Sequence, residues 1–298
     1  MTSPRSYLVT HGCSLSNLPL FVAAGSGSFR RKGIEVVLAR IDEMSATAGI
    51  LRDGTAELGT APFVQPLVDA EIENAPIMVA GSGLRGIGVL SQGERRIPED
   101  LRGARIGTFR GDPMEVLLHD WLRKNHLGYG DFSIRYLDTI DEAVHAWKEG
   151  GLDILTLAEP FLSRLVADGA DLLTDGTELW GADYPDTVLV ASKRLLAEEP
   201  HVVEAVIEAI LEAETEIHAD PFAAVEHALP YFPGFSAREL VDALRNQPPC
   251  VDIRHLTQVV FDRWTSLGEL GLVTSNRLLP PEAIDFSLLH DTIRSVRK

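Results

Sequence analysis

Residues 104–128 read ARIGTFRGDPMEVLLHDWLRKNHLG, and one whole unit of the fold is legible in them. ARIGTF (104–109) carries the apolar run of a buried strand. Asp112 stands where a helix N-cap belongs, and Pro113 suits the first turn. Apolar residues then recur at helical spacing until Gly128 marks the end. Strand, tight turn and capped helix make a βα unit, which predicts a parallel neighbour strand.

The same unit repeats on both sides. Upstream, YLVTHG (7–12), GIEVVLARI (33–41) and AELGTA (56–61) read as strands. Helices follow each: one through Leu18, Phe21 and Val22, one in SATAGILRDG (45–54) capped by Ser45, and one in PFVQPLVDAE (62–71). APIMVAG (75–81) and GIGVLSQ (86–92) read as buried strands. Downstream, FSIRYL (132–137), LDILTLA (152–158) and DTVLVASKRLL (186–196) are strands, with helices in TIDEAVHAWKEGG (139–151) and EPFLSRLVADG (159–169). Beyond Pro200 every segment with clear periodicity is helical. The order predicts an α/β protein of two lobes, with mostly parallel sheets, crossover helices and a helical C-terminal tail. Residues 1–87 and 190–298 form the first lobe, tail included, and 88–189 the second. Strands around Gly88–Gln92 and Val188–Ala191 are the expected crossings, with a ligand cleft between the lobes.

Composition narrows the function. With 298 residues, 45% hydrophobic and 24% charged, the chain can bury a large core. A formal charge of −17 excludes a general nucleic-acid binder, which needs a basic face to displace counterions. No run approaches the roughly 20 apolar residues of a membrane span. MTSPRSYLVTHGC has no apolar signal core, so a cytoplasmic location is expected, or a periplasmic or extracellular one if an export signal has been removed. Two cysteines make no disulfide framework, and the nine histidines show no ligand spacing, so neither metal nor cofactor is expected. GSGLRG (81–86) satisfies a dinucleotide-binding spacing but runs into a strand rather than a helix. It reads as a glycine-rich hinge.

In open α/β sheets ligands bind beyond the carboxyl ends of strands, where helix N-termini converge. Those turns hold His11, Gly12, Cys13, Ser14, Asn17, Ser45 and Thr60 in the first lobe. In the second they hold Thr108, Arg110, Gly111, Asp112 and Glu159. Helix N-termini favour a small anionic ligand, with Arg110 as counter-charge. Ser45 and Asp112 also read as ordinary caps, and Glu159 as closing its own helix. Cys13 reads either as a small packing residue or as a nucleophile or proton donor, with His11 as its proton partner. In the second case a helix N-terminus lowers the thiol pKa.

GSFRRKGIEVVL (27–38), LRDGTAELGTAP (51–62), the run from Asp100 to Leu127 and EAVHAWKEGGLDILTLAEPF (142–161) resemble the sulfonate/nitrate/taurine-type solute-binding proteins of the type II periplasmic-binding-protein fold. The resemblance spans roughly residues 7–195. It implies two lobes closing over a small, often anionic solute. It also implies a transporter permease as partner if the chain serves uptake, or a sensor role if it stays in the cytoplasm. The same fold includes cytoplasmic enzymes. THGCSLSNLPL (10–20) is similar to the segment carrying the nucleophilic cysteine of an aromatic sulfinate desulfinase, which would make Cys13 part of a C–S bond-cleaving lyase or hydrolase. The desulfinase's histidine and arginine would fall in EMSATAG (43–49) and TAELGTAP (55–62), and neither segment contains them. The cysteine-rich segment of the related thiamine-pyrimidine synthase is absent.

Overall fold

A computed structural model describes residues 5–42, 46–70, 72–93, 101–274 and 280–296. Ser45 lies outside the described residues. The chain builds two five-stranded sheets. In the first, β1 (Ser6–His11), β2 (Glu35–Arg40), β3 (Leu58–Pro62), β4 (Ile77–Leu84) and β10 (Pro185–Ala191) lie in the order β2-β1-β3-β10-β4. The second holds β5 (Ile87–Ser91), β6 (Arg105–Thr108), β7 (Ser133–Tyr136), β8 (Ile154–Ala158) and β9 (Asp171–Thr174), in the order β7-β6-β8-β5-β9.

Both sheets are mixed, and by the same rule. β1 pairs parallel with β2 and β3, and β6 parallel with β7 and β8, as βα units require. β10 runs antiparallel to β3 and β4, and β5 antiparallel to β8 and β9. The strand that arrives from the other sheet is therefore the one reversed strand in each. Four of five strands in each sheet still share one direction.

The glycines of GSGLRG do two jobs. Gly81 and Gly83 lie inside β4, and each admits another backbone. A Cβ on Gly83 would sit 2.7 Å from Ser16, and one on Gly81 would sit 2.5 Å from the Cys250 carbonyl. Only Gly86 is at the turn between sheets, with φ +75°, and a Cβ there would meet Gln247 at 2.5 Å. The link between the sheets is thus the two-residue turn Arg85–Gly86, where a hinge over residues 81–86 was expected.

The long helix Pro200–Ala219 starts with proline at its first turn and buries Val203, Val206, Ile207, Ile210, Ala213 and Ile217. It packs on the helix Leu18–Gly25. Each fully buried aliphatic side chain contributes about 1.5–3 kcal/mol. Half-buried pairs on the acidic face, such as Lys32–Glu208 at 3.0 Å, remain solvent-screened and contribute about 1 kcal/mol. The apolar stripe therefore sets the docking of this helix.

One part of the tail departs from its expected place on the first lobe. The helix Trp264–Glu269 packs on the second sheet's helix Pro113–Lys124. The last helix, Ser287–Val296, returns to Pro200–Ala219 and β4. A buried polar knot holds the middle of the tail: Asp120 accepts from Arg263 Nη1 at 2.9 Å, Ser266 Oγ at 2.6 Å and Trp180 Nε1 at 2.8 Å.

Candidate functional site

β1 and β3 end on the side of the first sheet that faces the second. Because β10 is reversed, its beginning reaches the same edge, with Thr187 beside Pro62. Between the sheets lies a narrow cavity of about 600 Å³, mouth included. From the first sheet it is lined by Gly12, Cys13, Ser14, Asn17, Ile41, Thr60, Ala61 and Pro62, with Asp186 and Thr187 from β10. The second sheet contributes Asp112, Met114, Ile140, Ala158 and Phe161.

A hydrogen-bonded floor joins four distant parts of the chain. Ser14 caps the 3-10 turn Leu15–Asn17, its Oγ accepting from Ser16 N at 3.3 Å. That hydroxyl also lies 3.3 Å from Asp186 Oδ2, which accepts from Gln247 Nε2 at 2.9 Å. Ser16 Oγ donates to Thr187 Oγ1 at 2.6 Å. Asn17 accepts from Thr60 Oγ1 and donates to the Ser14 carbonyl at 3.1 Å, which fixes its amide orientation.

Two carboxylates dominate the electrostatics. Burial raises Asp186 to about 6, against the hydrogen bonds of the serines, Thr187 and Gln247. Burial raises Asp112 to about 8, against one hydrogen bond from Met114 N, and the negative charges of Asp186 and Glu115 push the same way.

Of the residues expected at the site, Gly12, Cys13, Ser14, Asn17, Thr60 and Asp112 line the cavity. Others do not. His11 is 3% exposed, with its ring edge-on to Phe21 at 4.8 Å and to Tyr231 at 5.8 Å. Its Nδ1 is 2.8 Å from the Gly12 carbonyl, and burial lowers its pKa. It packs with an aromatic cluster and is no proton partner for Cys13. Thr108 is buried within the second sheet, accepting from Thr156 Oγ1 at 2.9 Å. Gly111 gives its N–H to Glu115 Oε2 at 2.7 Å.

Arg110 is the larger correction. Its guanidinium donates to the buried Glu115 at 2.9 Å, to Tyr136 Oη at 3.0 Å and to the Leu270 carbonyl of the tail at 2.9 Å. A buried carboxylate one helical turn away competes for the charge, so Arg110 does not line the cavity. Glu159 closes its own helix, accepting from Ser163 N at 3.1 Å and Ser163 Oγ at 2.7 Å, and from Asn246 at 2.8 Å. At Cys13 burial raises the thiol to about 11, against the lowered value expected if it served as a nucleophile. The turn that follows it is only three residues long and is already capped by Ser14.

Asp186, Thr187 and Gln247 were missed. The carboxyl-end rule covers parallel strands, and a reversed strand offers its N-terminal residues to the same edge. The signal was DYPDT (183–187), an acidic turn opening a crossing strand. Met114, Ile140 and Phe161 also line the cavity, each in the first turn of its helix, and no sequence signal separates them from core residues.

Residues 15–224 match the NMT1/THI5-like family. The chain belongs to that family. Over 234 residues it is 25% identical to 4-amino-5-hydroxymethyl-2-methylpyrimidine phosphate synthase of Schizosaccharomyces pombe, covering 74% of this chain and 67% of the relative. Its fold is that of the alkanesulfonate-binding protein SsuA from Xanthomonas axonopodis pv. citri, solved with MOPS bound. The TM-score there is 0.80 at 19% identity, covering 96% and 99% of the two chains. The desulfurization enzyme DSZB shares it at TM-score 0.71 and 16% identity, covering 98% and 99%. The family member is thus a two-lobed α/β protein of the periplasmic-binding-protein-like fold with a helical C-terminal region. Among the described residues no helix is long and apolar enough to cross a membrane. Among them, too, no group of three His, Cys, Asp or Glu is placed to hold a metal ion.

Proposed function

We propose that this chain binds a small organic molecule in the cleft between its sheets without transforming it. It would act as the receptor of an uptake system, with a permease as partner, or as a cytoplasmic sensor. The observation that carries this reading is the state of Cys13. Cys13 lines the cavity, yet burial raises its thiol to about 11 and His11 is engaged elsewhere. At neutral pH a thiol so raised is almost wholly protonated and a poor nucleophile. The solute-binding relatives of the fold support the reading. A desulfinase-like lyase keeps one specific observation in its favour, the presence of Cys13 on the cavity wall of a fold shared with DSZB.

The test is a thermal-shift screen of small sulfonates, carboxylates, ammonium compounds and neutral alcohols, followed by mass spectrometry of each hit after incubation. Hits should be recovered unchanged, and Cys13→Ser should hold affinity to within about threefold, since a thiol and a hydroxyl differ little in size. Conversion of a hit that Cys13→Ser abolishes would establish the lyase instead.

A further inference from the structure

We propose that the cleft takes a small amphiphilic organic cation, its ammonium N–H groups held by Asp112 and Asp186 and its hydrocarbon part by Met114, Ile140 and Phe161. The inference rests on the cleft-binding reading above and names the chemical class of the ligand.

Among the described lining residues, the charged side chains are those two carboxylates; none is lysine, arginine or histidine. Both are more than nine-tenths buried, at 3% and 6% exposure. Asp112 also keeps an oxygen in reserve: its Oδ1 accepts from Met114 N at 2.9 Å, and no donor among the described residues engages its Oδ2. Asp186 is more fully bonded, with Gln247, Ser14 and Thr187 on its Oδ2 and Ser16 beside it. A carboxylate oxygen left open on a cavity wall can take a donor from outside.

The features that would favour an anion are already occupied by the chain itself. Asp112 caps the helix Pro113–Lys124, Glu159 binds the first turn of Phe161–Ala167 and Thr139 caps the helix Ile140–Lys148, so these three helix ends are already capped by the chain. Arg110 is bound to Glu115, Tyr136 and the tail. An anion entering this cavity would face two carboxylates and no cationic side chain on the lining; Arg40, whose charge reaches Cys13, is already paired with Asp42. A cation would relieve the repulsion between the carboxylates and donate to the open oxygen of Asp112. The apolar wall opposite suits a short alkyl or aryl group rather than a second charge.

The groups facing Asp112 are Asp186 and Glu115, and those facing Asp186 are Asp112 and Tyr184. None is a cation, so a bound ammonium would draw both aspartates to the ionised form. Binding should therefore strengthen as pH rises.

The experiment is calorimetric titration of the full chain with matched probes: butylammonium and benzylammonium against butanesulfonate and benzenesulfonate. Ammonium probes should bind at least about tenfold more tightly than their sulfonate partners, the scale of one charge-assisted contact pair. Their affinity should rise at least about fivefold between pH of about 6 and about 8.5, as the carboxylates ionise. Asp186→Asn and Asp112→Asn should each lose about tenfold in ammonium affinity. The probe preference is read on the unaltered chain, so poor folding of either variant leaves it intact. Equal or tighter sulfonate binding overturns the cation assignment, as does ammonium binding that neither variant weakens. Sulfonate binding in the cleft would leave the cleft-binding reading standing while the cation assignment falls. If no probe binds up to millimolar concentration, the cation assignment is wrong. If the wider screen is also empty, so is the cleft-binding reading.

Discussion

Helix Pro113–Lys124 carries two buried aspartates in very different company. Asp120, toward its end, is saturated: Arg263, Ser266 and Trp180 donate to its two oxygens, and the Arg263 guanidinium lies 4.9 Å above the Trp180 ring. Asp112, at its start, has one backbone donor, no cation, and a second carboxylate nearby. Both are hidden from water. One completes a joint between the tail and the second sheet; the other leaves an incomplete arrangement on a cavity wall. A buried charge that the fold satisfies is structural, and one that the fold leaves open points to a ligand.

The largest expected effect is at the joint. Asp120→Ala strands the buried Arg263 without its carboxylate and should destabilise the chain by about 3–5 kcal/mol, read from urea unfolding. A loss under about 1 kcal/mol, the size of an exposed pair, would break the contrast between the two aspartates.

The second prediction concerns pH and has the opposite character. Asp112 and Asp186 have folded-state values raised above the unfolded ones. Their contribution to stability is thus full below about 4 and lost as pH rises through about 6 and then about 8. The free protein should lose stability across that window. Asp112→Asn keeps a competent N-cap and removes the upper part of the loss, so its profile should flatten between about 6 and 8. A profile parallel to that of the unaltered chain would mean that Asp112 ionises in the folded state much as it does in water.

The smallest effect sharpens the same comparison from outside the cleft. Arg110→Ala removes a charged hydrogen bond to Glu115 and one to the tail, at a cost of about 1.5–3 kcal/mol in stability. It should leave ligand affinity within about twofold, since Arg110 does not line the cavity. A tenfold fall in affinity would return Arg110 to the site.

How much of this was legible depends on how far apart the deciding residues lie. Asp112 as N-cap, Pro113 at the first turn and Glu159 closing its own helix follow from neighbours within four residues. So does the alternation of strand and helix. The strands around Gly88–Gln92 and Val188–Ala191, expected as crossings, are the reversed β5 and β10. The role of the reversed β10 was not legible. Its Asp186 reaches the cleft only because the strand inserts antiparallel between β3 and β4. Nor could the tail's passage to the second sheet be read, since it depends on Asp120 meeting Arg263 across 143 positions.

The sequence by itself determined most of the elements and caps and the two-sheet plan, because periodicity and capping are set by residues a few places apart; it did not show β9, nor the helix Lys193–Glu198 where the strand read over 186–196 gives way at Ser192. It also put Cys13 and Asp112 at the edge of a cleft. Only the tertiary structure decided what those groups can do there. Desolvation by distant neighbours raises the Cys13 thiol and both cleft carboxylates, and a competing buried carboxylate turns Arg110 away. Ionisation and side-chain direction follow the whole surrounding shell of atoms, and that shell is assembled by folding.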